Sequence, residues 1–242
     1  MISEAMQGGG GSDNEGDVFE ASRLGHKDHW NSVYDREINN FEESGDTGYV
    51  WFGEDTTHKM LGWVYDNIED TSTRILDVGC GNGHLLLEMA SEGYTNLVGT
   101  DYSVQAVELA KRIAKNRNLD SAIVFQMQDF LDPQDVARVA GSDKFDLVLD
   151  KGTYDAICLK PSEADDAAVD MNAADAYPVS VVASLNESGV FLITSCNWTE
   201  EELTARFADH LVCVGRVQHR SFKFGGAVGQ TVATVAFTKK HI

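Results

Sequence analysis

The chain has 242 residues, 43% of them hydrophobic, enough to bury the core of one enzyme-sized domain with extensions. Nineteen basic against thirty-nine acidic side chains give a formal net charge of −20, which repels phosphate backbones and argues against direct binding of DNA or RNA. No apolar run approaches the ~20 residues of a membrane span, and no basic-then-apolar secretory pattern opens the sequence, so no membrane association and a cytoplasmic protein are expected, and the charge of −20 argues for a monomer.

Residues 1–22 read as a disordered leader, because Gly8 to Gly11 sit among Ser, Asn, Asp and Glu with too little apolar surface to offset ordering. Residues 23–242 then form one domain, with an N-terminal helical extension over about 23–70. From Leu24 to about Asn40, Trp30, Val33, Tyr34, Ile38 and Phe41 recur at the spacing of an amphipathic helix. An apolar strand, Arg74 to Val78, runs into a loop with glycine at positions 79, 81 and 83, and a helix-compatible run, His84 to Glu92, follows. A second strand, Leu97 to Thr100, ends in Asp101, and Ser103 can cap a helix from Val104 to Asn116. The strand Ile123 to Gln128 leads to Asp129 and Phe130, Pro133 opens a short helix, and the apolar strand Phe145 to Leu149 ends in Asp150.

A helix over Tyr177 to Leu185 precedes a strand, Val190 to Ser195, and Thr199 with Glu202 has capping-box spacing for a helix reaching Ala208. Two final strands, Leu211 to Gln218 and Thr231 to Thr238, read as an antiparallel pair. Uninterrupted apolar strands between helices predict an α/β fold: a Rossmann-like, seven-stranded, mainly parallel sheet with helices on both faces and an antiparallel final strand.

The glycine loop carries the chemistry. Alternating Gly79, Gly81 and Gly83 permit a tight turn and a ligand close to the main chain. The third glycine comes one residue too early for the dinucleotide pattern G-x-G-x-x-G, and His84 stands where that pattern needs glycine. Asp77, inside the strand end, would repel a pyrophosphate but suit a cation, and Asp101 is placed to accept both hydroxyls of a ribose. S-adenosylmethionine, which carries a sulfonium and an ammonium and no phosphate, matches that demand. Cys80 and Tyr102, beside the glycines and Asp101, complete the expected contacts. In open α/β sheets ligands bind beyond the carboxyl ends of the strands, where Asp77, Asp101, Asp129 and Asp150 are all expected. Cys80, Cys158, Cys196 and Cys213 are isolated, as are His26, His29, His58 and His84. Free thiols and no metal site are therefore expected.

The D-x-G-x-G-x-G arrangement of residues 77–83 resembles motif I of the class I (seven-β-strand) methyltransferases. The likeness extends to Asp150-Lys-Gly-Thr-Tyr-Asp-Ala-Ile157, which is similar to the matching segment of lysine methyltransferases that modify translation elongation factor 1-alpha. Trp30-Asn-Ser-Val-Tyr34, Gly45-Asp-Thr-Gly48, Val50-Trp-Phe-Gly53, Ser195-Cys-Asn-Trp-Thr199 and Phe222-Lys-Phe-Gly-Gly226 resemble that family too. The leader and the acidic, alanine-rich stretch Ser162 to Ala176 depart from it.

The resemblance implies S-adenosylmethionine as cofactor and the elongation factor as partner. It places Asp77 near the methionine end, Asp101 on ribose, and Asp129 with the Phe130 backbone on adenine. Asp150 would capture a lysine, with Tyr154, Trp51 and Trp198 around it. Trp51 is counted with the cofactor contacts as well, and Trp198 and Phe224 with the substrate contacts. Two other readings remain open: the same chemistry on another protein or a small molecule, and a non-catalytic binding subunit of this fold.

Overall fold

The computed structural model describes residues 23–159, 173–219, 221–224, 227–230 and 232–240, with backbone alone for 221–224 and 227–230. The expected leader and most of the expected insert lie outside the described residues. Five strands run parallel: β1 (Ile75–Val78), β2 (Leu97–Asp101), β3 (Ile123–Met127), β4 (Phe145–Lys151) and β5 (Leu185–Ser195). They are followed by β6 (Leu211–Val217), a hairpin of β7 (Ser221–Phe224) with β8 (Ala227–Gln230), and β9 (Ala233–Lys239). The main sheet has the order β3-β2-β1-β4-β5-β9-β6, with β9 antiparallel to both neighbours. The reversed strand anticipated from sequence is thus β9, inserted between β5 and β6. The β7–β8 hairpin that separates β6 from β9 was not foreseen.

Helices cover both faces. The first, α1 (Lys27–Ser44), starts three residues later than read and runs four residues further, to the left-handed Gly45, whose N–H donates to the Phe41 carbonyl. Next come α2 (Gly53–Asn67), α3 (His84–Ser91), α4 (Val104–Asn116) and α5 (Pro133–Ala140). The chain continues through α6 (Thr153–Cys158), α7 (Ala173–Ser184) and α8 (Glu200–Phe207). The capped helices fall where their caps predict. Ser103 Oγ accepts from Ala106 N at 3.4 Å, Asp132 accepts from Gln134 N at 2.8 Å before Pro133, and Thr199 with Glu202 closes a capping box.

Elements without such signals are placed less well from sequence. α2 lies inside the expected helical extension, but no sequence signal sets its bounds, because it has no side-chain cap and begins after Phe52, a non-glycine residue at φ 65°. α6 is too short for a periodic pattern, and its cap comes from Asp150, before the turn at Gly152. α7, expected over Tyr177 to Leu185, begins four residues earlier, inside the stretch assigned to the insert, and tolerates Pro178 in its first turns.

The sheet divides the interior into two apolar layers. Ile75, Leu147, Leu149 and Leu192 face α2, α3 and α4, while Leu76, Val78, Val148 and Phe191 face α5, α7 and α8. This alternation, one residue up and the next down, decides which strand-end side chains can meet.

Candidate active site

A cavity of about 410 Å³ opens beyond the carboxyl ends of β1, β2 and β4, within the ~300–1,000 Å³ range of small-molecule sites. Its floor follows from strand register. Gly99 of β2 and Leu149 of β4 both lie opposite Asp77 of β1. Asp101 and Lys151, two residues further on, therefore share the face of Asp77, and all three line the cavity. Asp150 lies opposite Val78, on the other face. Asp129, past the end of β3, and Phe130 line the cavity too, as do Cys80 and Tyr102.

The loop between β1 and α3 is shaped by the protein as much as by any ligand. Gly79 and Gly81 have φ values of 64° and 55°, where side chains are strained. A Cβ on Gly81 would lie 2.5 Å from Tyr34 Oη, and one on Gly79 would overlap Thr153, whose Oγ1 donates to the Val78 carbonyl at 2.6 Å. The glycines thus let α1 and α6 close on the loop, a reason that the ligand-approach argument from sequence did not contain. Gly81 N donates to Asp101 at 3.1 Å, and Ser103 N donates to its other oxygen at 2.9 Å.

One wall comes from the N-terminal extension. Residues of α1 and of the strap at 45–52 cover the loop, with Trp30 and Trp51 in edge contact at 5.0 Å and Tyr49 5.5 Å from Trp51. The strap is tied down three times. Tyr49 N donates to the buried Glu37 at 3.2 Å, the Asn82 amide to the Thr47 carbonyl at 2.9 Å, and Lys151 Nζ to the Trp51 carbonyl at 3.0 Å. Trp51 lines the cavity as the sequence reading required; the anchors Glu37, Asn82 and Lys151 carry no motif that announces them.

Three expected site residues sit elsewhere. Asp150 is fully buried, accepts from Thr153 N at 2.7 Å and Tyr154 N at 2.9 Å, and receives the Tyr177 hydroxyl. Its carboxylate caps α6, and the residue does not line the cavity. Tyr154 is 1% exposed and packs at tilted angles among Tyr177, Trp198 and Phe207 in the second apolar layer. Trp198 packs there too, under the guanidinium of Arg206 at 4.2 Å from its ring. Neither lines the cavity. The Phe224 side chain lies outside the described residues. The acidic residue of this segment that lines the cavity is Asp155, on α6 and 4% exposed, which accepts from Ser195 Oγ at 2.5 Å and Cys196 N at 2.8 Å.

Burial sets the electrostatics. It pushes the Asp101 carboxyl up to about 6, against the pull of the Ser103, Gly81 and Tyr102 N–H groups and of Lys27. Burial also holds Asp77 well above the usual carboxylate range, opposed by the Lys151 ammonium, while Lys151 itself is drawn below the lysine range. Neither carboxyl forms a direct ion pair among the described residues, so both can receive a cationic ligand. Gln128, 2% exposed and lining the cavity, has an Oε1 without a hydrogen-bond partner, an acceptor matched to the amino group of a base. Carboxylates, an orphaned acceptor and aromatic walls fit S-adenosylmethionine and do not fit a pyrophosphate.

Residues 69–234 match the family model described as a methyltransferase domain. The chain is 38% identical to EEF1A lysine methyltransferase 2 of Mus musculus over 93% of this chain and 87% of that one. It is also 38% identical to protein-lysine N-methyltransferase efm4 of Schizosaccharomyces pombe, over 89% of this chain and 94% of that one. The chain belongs to the EEF1A lysine methyltransferase family.

The fold is shared more widely. An S-adenosylmethionine-dependent methyltransferase from Anabaena variabilis superposes with a TM-score of 0.61 at 14% identity, covering 88% of this chain and 94% of that one. Magnesium protoporphyrin IX methyltransferase from Synechocystis, solved with the donor bound, gives 0.56 at 15% identity over 86% and 97%. In this EEF1A lysine methyltransferase family member, all four cysteines are free thiols, with Cys80 and Cys196 on the cavity wall.

Proposed function

We propose that the protein transfers a methyl group from S-adenosylmethionine to a lysine of translation elongation factor 1-alpha, acting as a cytoplasmic monomer. The observation that carries this reading is near-full-length similarity to EEF1A lysine methyltransferases, combined with a cavity that sets carboxylates against a cationic donor. The cofactor supplies a methyl group activated by a sulfonium.

Each wall of the cavity takes one part of the donor. Asp101, held by Gly81 N and Ser103 N, receives the ribose hydroxyls. Asp129 and the Gln128 acceptor receive the adenine amino group beside the Phe130 backbone, and Asp77 receives the ammonium. Cys80, Tyr102 and Trp51 fill the sides.

On the acceptor side, Asp155 takes the role first assigned to Asp150. Its carboxylate orients the incoming lysine amine, and Asn197, beside it on the cavity wall, offers a further polar contact. Tyr49, 65% exposed at the rim, and Trp51 behind it give aromatic faces along which a lysine side chain can slide. An amine with a pKa near 10.4 costs about 4–5 kcal/mol to deprotonate at pH 7, and enclosure by aromatic walls lowers that cost. Asp155 opposes the loss of the proton, so its contribution is alignment, with water taking the proton before transfer.

Incubating the enzyme and labelled S-adenosylmethionine with total cytosolic protein tests the reading. One labelled band at the elongation factor is expected; label found only in small molecules contradicts it.

A further inference from the structure

Lys151 is a cation that the methyl-transfer chemistry does not use. Its Nζ makes one hydrogen bond, to the Trp51 carbonyl at 3.0 Å, which leaves two of three donors over. Asp77, Asp150 and Glu54 attract it through space, but no carboxylate among the described residues pairs with it directly. Among the described residues the Phe52 ring, 5.9 Å away, is its only other contact, so an enclosed ammonium with neutral partners alone carries an unmet demand for an anion. Register puts that demand beside Asp77 on the same face of adjacent strands, and both residues line the cavity.

Side by side, the two present one anionic and one cationic group to the same end of the site. The methionine portion of the donor is an amino acid zwitterion, so it carries the complementary pair. We propose that Lys151 is the binding residue for the carboxylate of the bound donor, with Asp77 taking the neighbouring ammonium. The same ammonium holds the Trp51 carbonyl, so the strap and the amino acid end of the donor share one anchor. This inference rests on the donor being S-adenosylmethionine.

Calorimetry with two probes separates the roles. The probes are S-adenosylmethionine and its decarboxylated analogue, titrated into wild type, Lys151→Met, Lys151→Gln and Lys151→Arg. Loss of a charge-assisted contact should weaken S-adenosylmethionine binding by about 10- to 100-fold in Lys151→Met. The decarboxylated analogue, which brings only positive charge to this end, should bind the same variant as well as wild type or better.

Lys151→Gln keeps a donor for the Trp51 carbonyl and should show the same selective loss; Lys151→Arg should retain most of the affinity. Equal weakening for both probes would make Lys151 a strap anchor alone and overturn the proposal, as would unchanged binding of S-adenosylmethionine. Failure of wild type to bind either probe would instead overturn the choice of donor, and the carboxylate contact with it.

Discussion

Tyr177 donates its hydroxyl hydrogen to the carboxylate of Asp150, and both residues are fully buried. The pair joins α7 to the capped start of α6, and so fixes the helix that carries Asp155 to the cavity wall.

A pH-dependent stability follows from the burial of Asp150. Burial raises Asp150 to about 7, chiefly against the Tyr177, Thr153 and Tyr154 donors, whereas an unfolded Asp titrates near 3.9. The folded state binds this proton more tightly, so the stabilisation is complete below about pH 4 and is lost as pH rises through 7. At ~1.4 kcal/mol per unit, the slope sums to no more than about 4 kcal/mol. Asp150→Asn should flatten the urea-unfolding free energy between pH 4 and 7 relative to wild type. Tyr177→Phe removes a donor that favours the ionised form and should extend the slope above pH 7.

Gly81→Ala should destabilise the fold by about 1–3 kcal/mol, from a side chain forced to φ 55° and pressed on Tyr34 Oη. Combining it with Tyr34→Phe should recover the clash and leave the backbone strain. Thermal unfolding of the two single variants and the double variant measures the non-additive part.

Donor binding should weaken as pH falls through about 6, where the Asp101 carboxylate takes up its proton and ceases to accept from ribose. Titrating the affinity from pH 5 to 8 checks this, and Asp101→Asn should lower the affinity and abolish that pH dependence.

Asp155→Asn should lower kcat by about 100-fold while the donor affinity stays within a few-fold, the pattern of a group that aligns the acceptor. Steady-state kinetics beside calorimetry separates the two quantities. A matched fall in donor affinity would mean that loss of the Ser195 and Cys196 contacts has disturbed the whole cavity.

The sheet, most helices and the placing of Asp77, Asp101 and Asp129 on the cavity were legible because they rest on local signals: the glycine loop, Ser103 and Thr199 as caps, and apolar strands ending in those carboxylates. The placing of Asp150 was not. Asp150 reads like its three counterparts, yet β4 pairs with β1 in the register that puts Asp150 opposite Val78 rather than Asp77. Register is a tertiary property, and a shift of one residue exchanges the faces. Asp155 and Lys151 owe their places to that same shift. The strap was visible only as a string of glycines and aromatics, because Glu37, Asn82 and Lys151 hold it across long stretches of chain.

Peptide mass spectrometry of purified elongation factor 1-alpha, treated with the enzyme and S-adenosylmethionine, tests the central claim most directly. Methyl increments confined to lysine, absent when Asp101→Ala enzyme is used, are predicted. An elongation factor left unmodified by enzyme that demonstrably binds the donor would contradict the account.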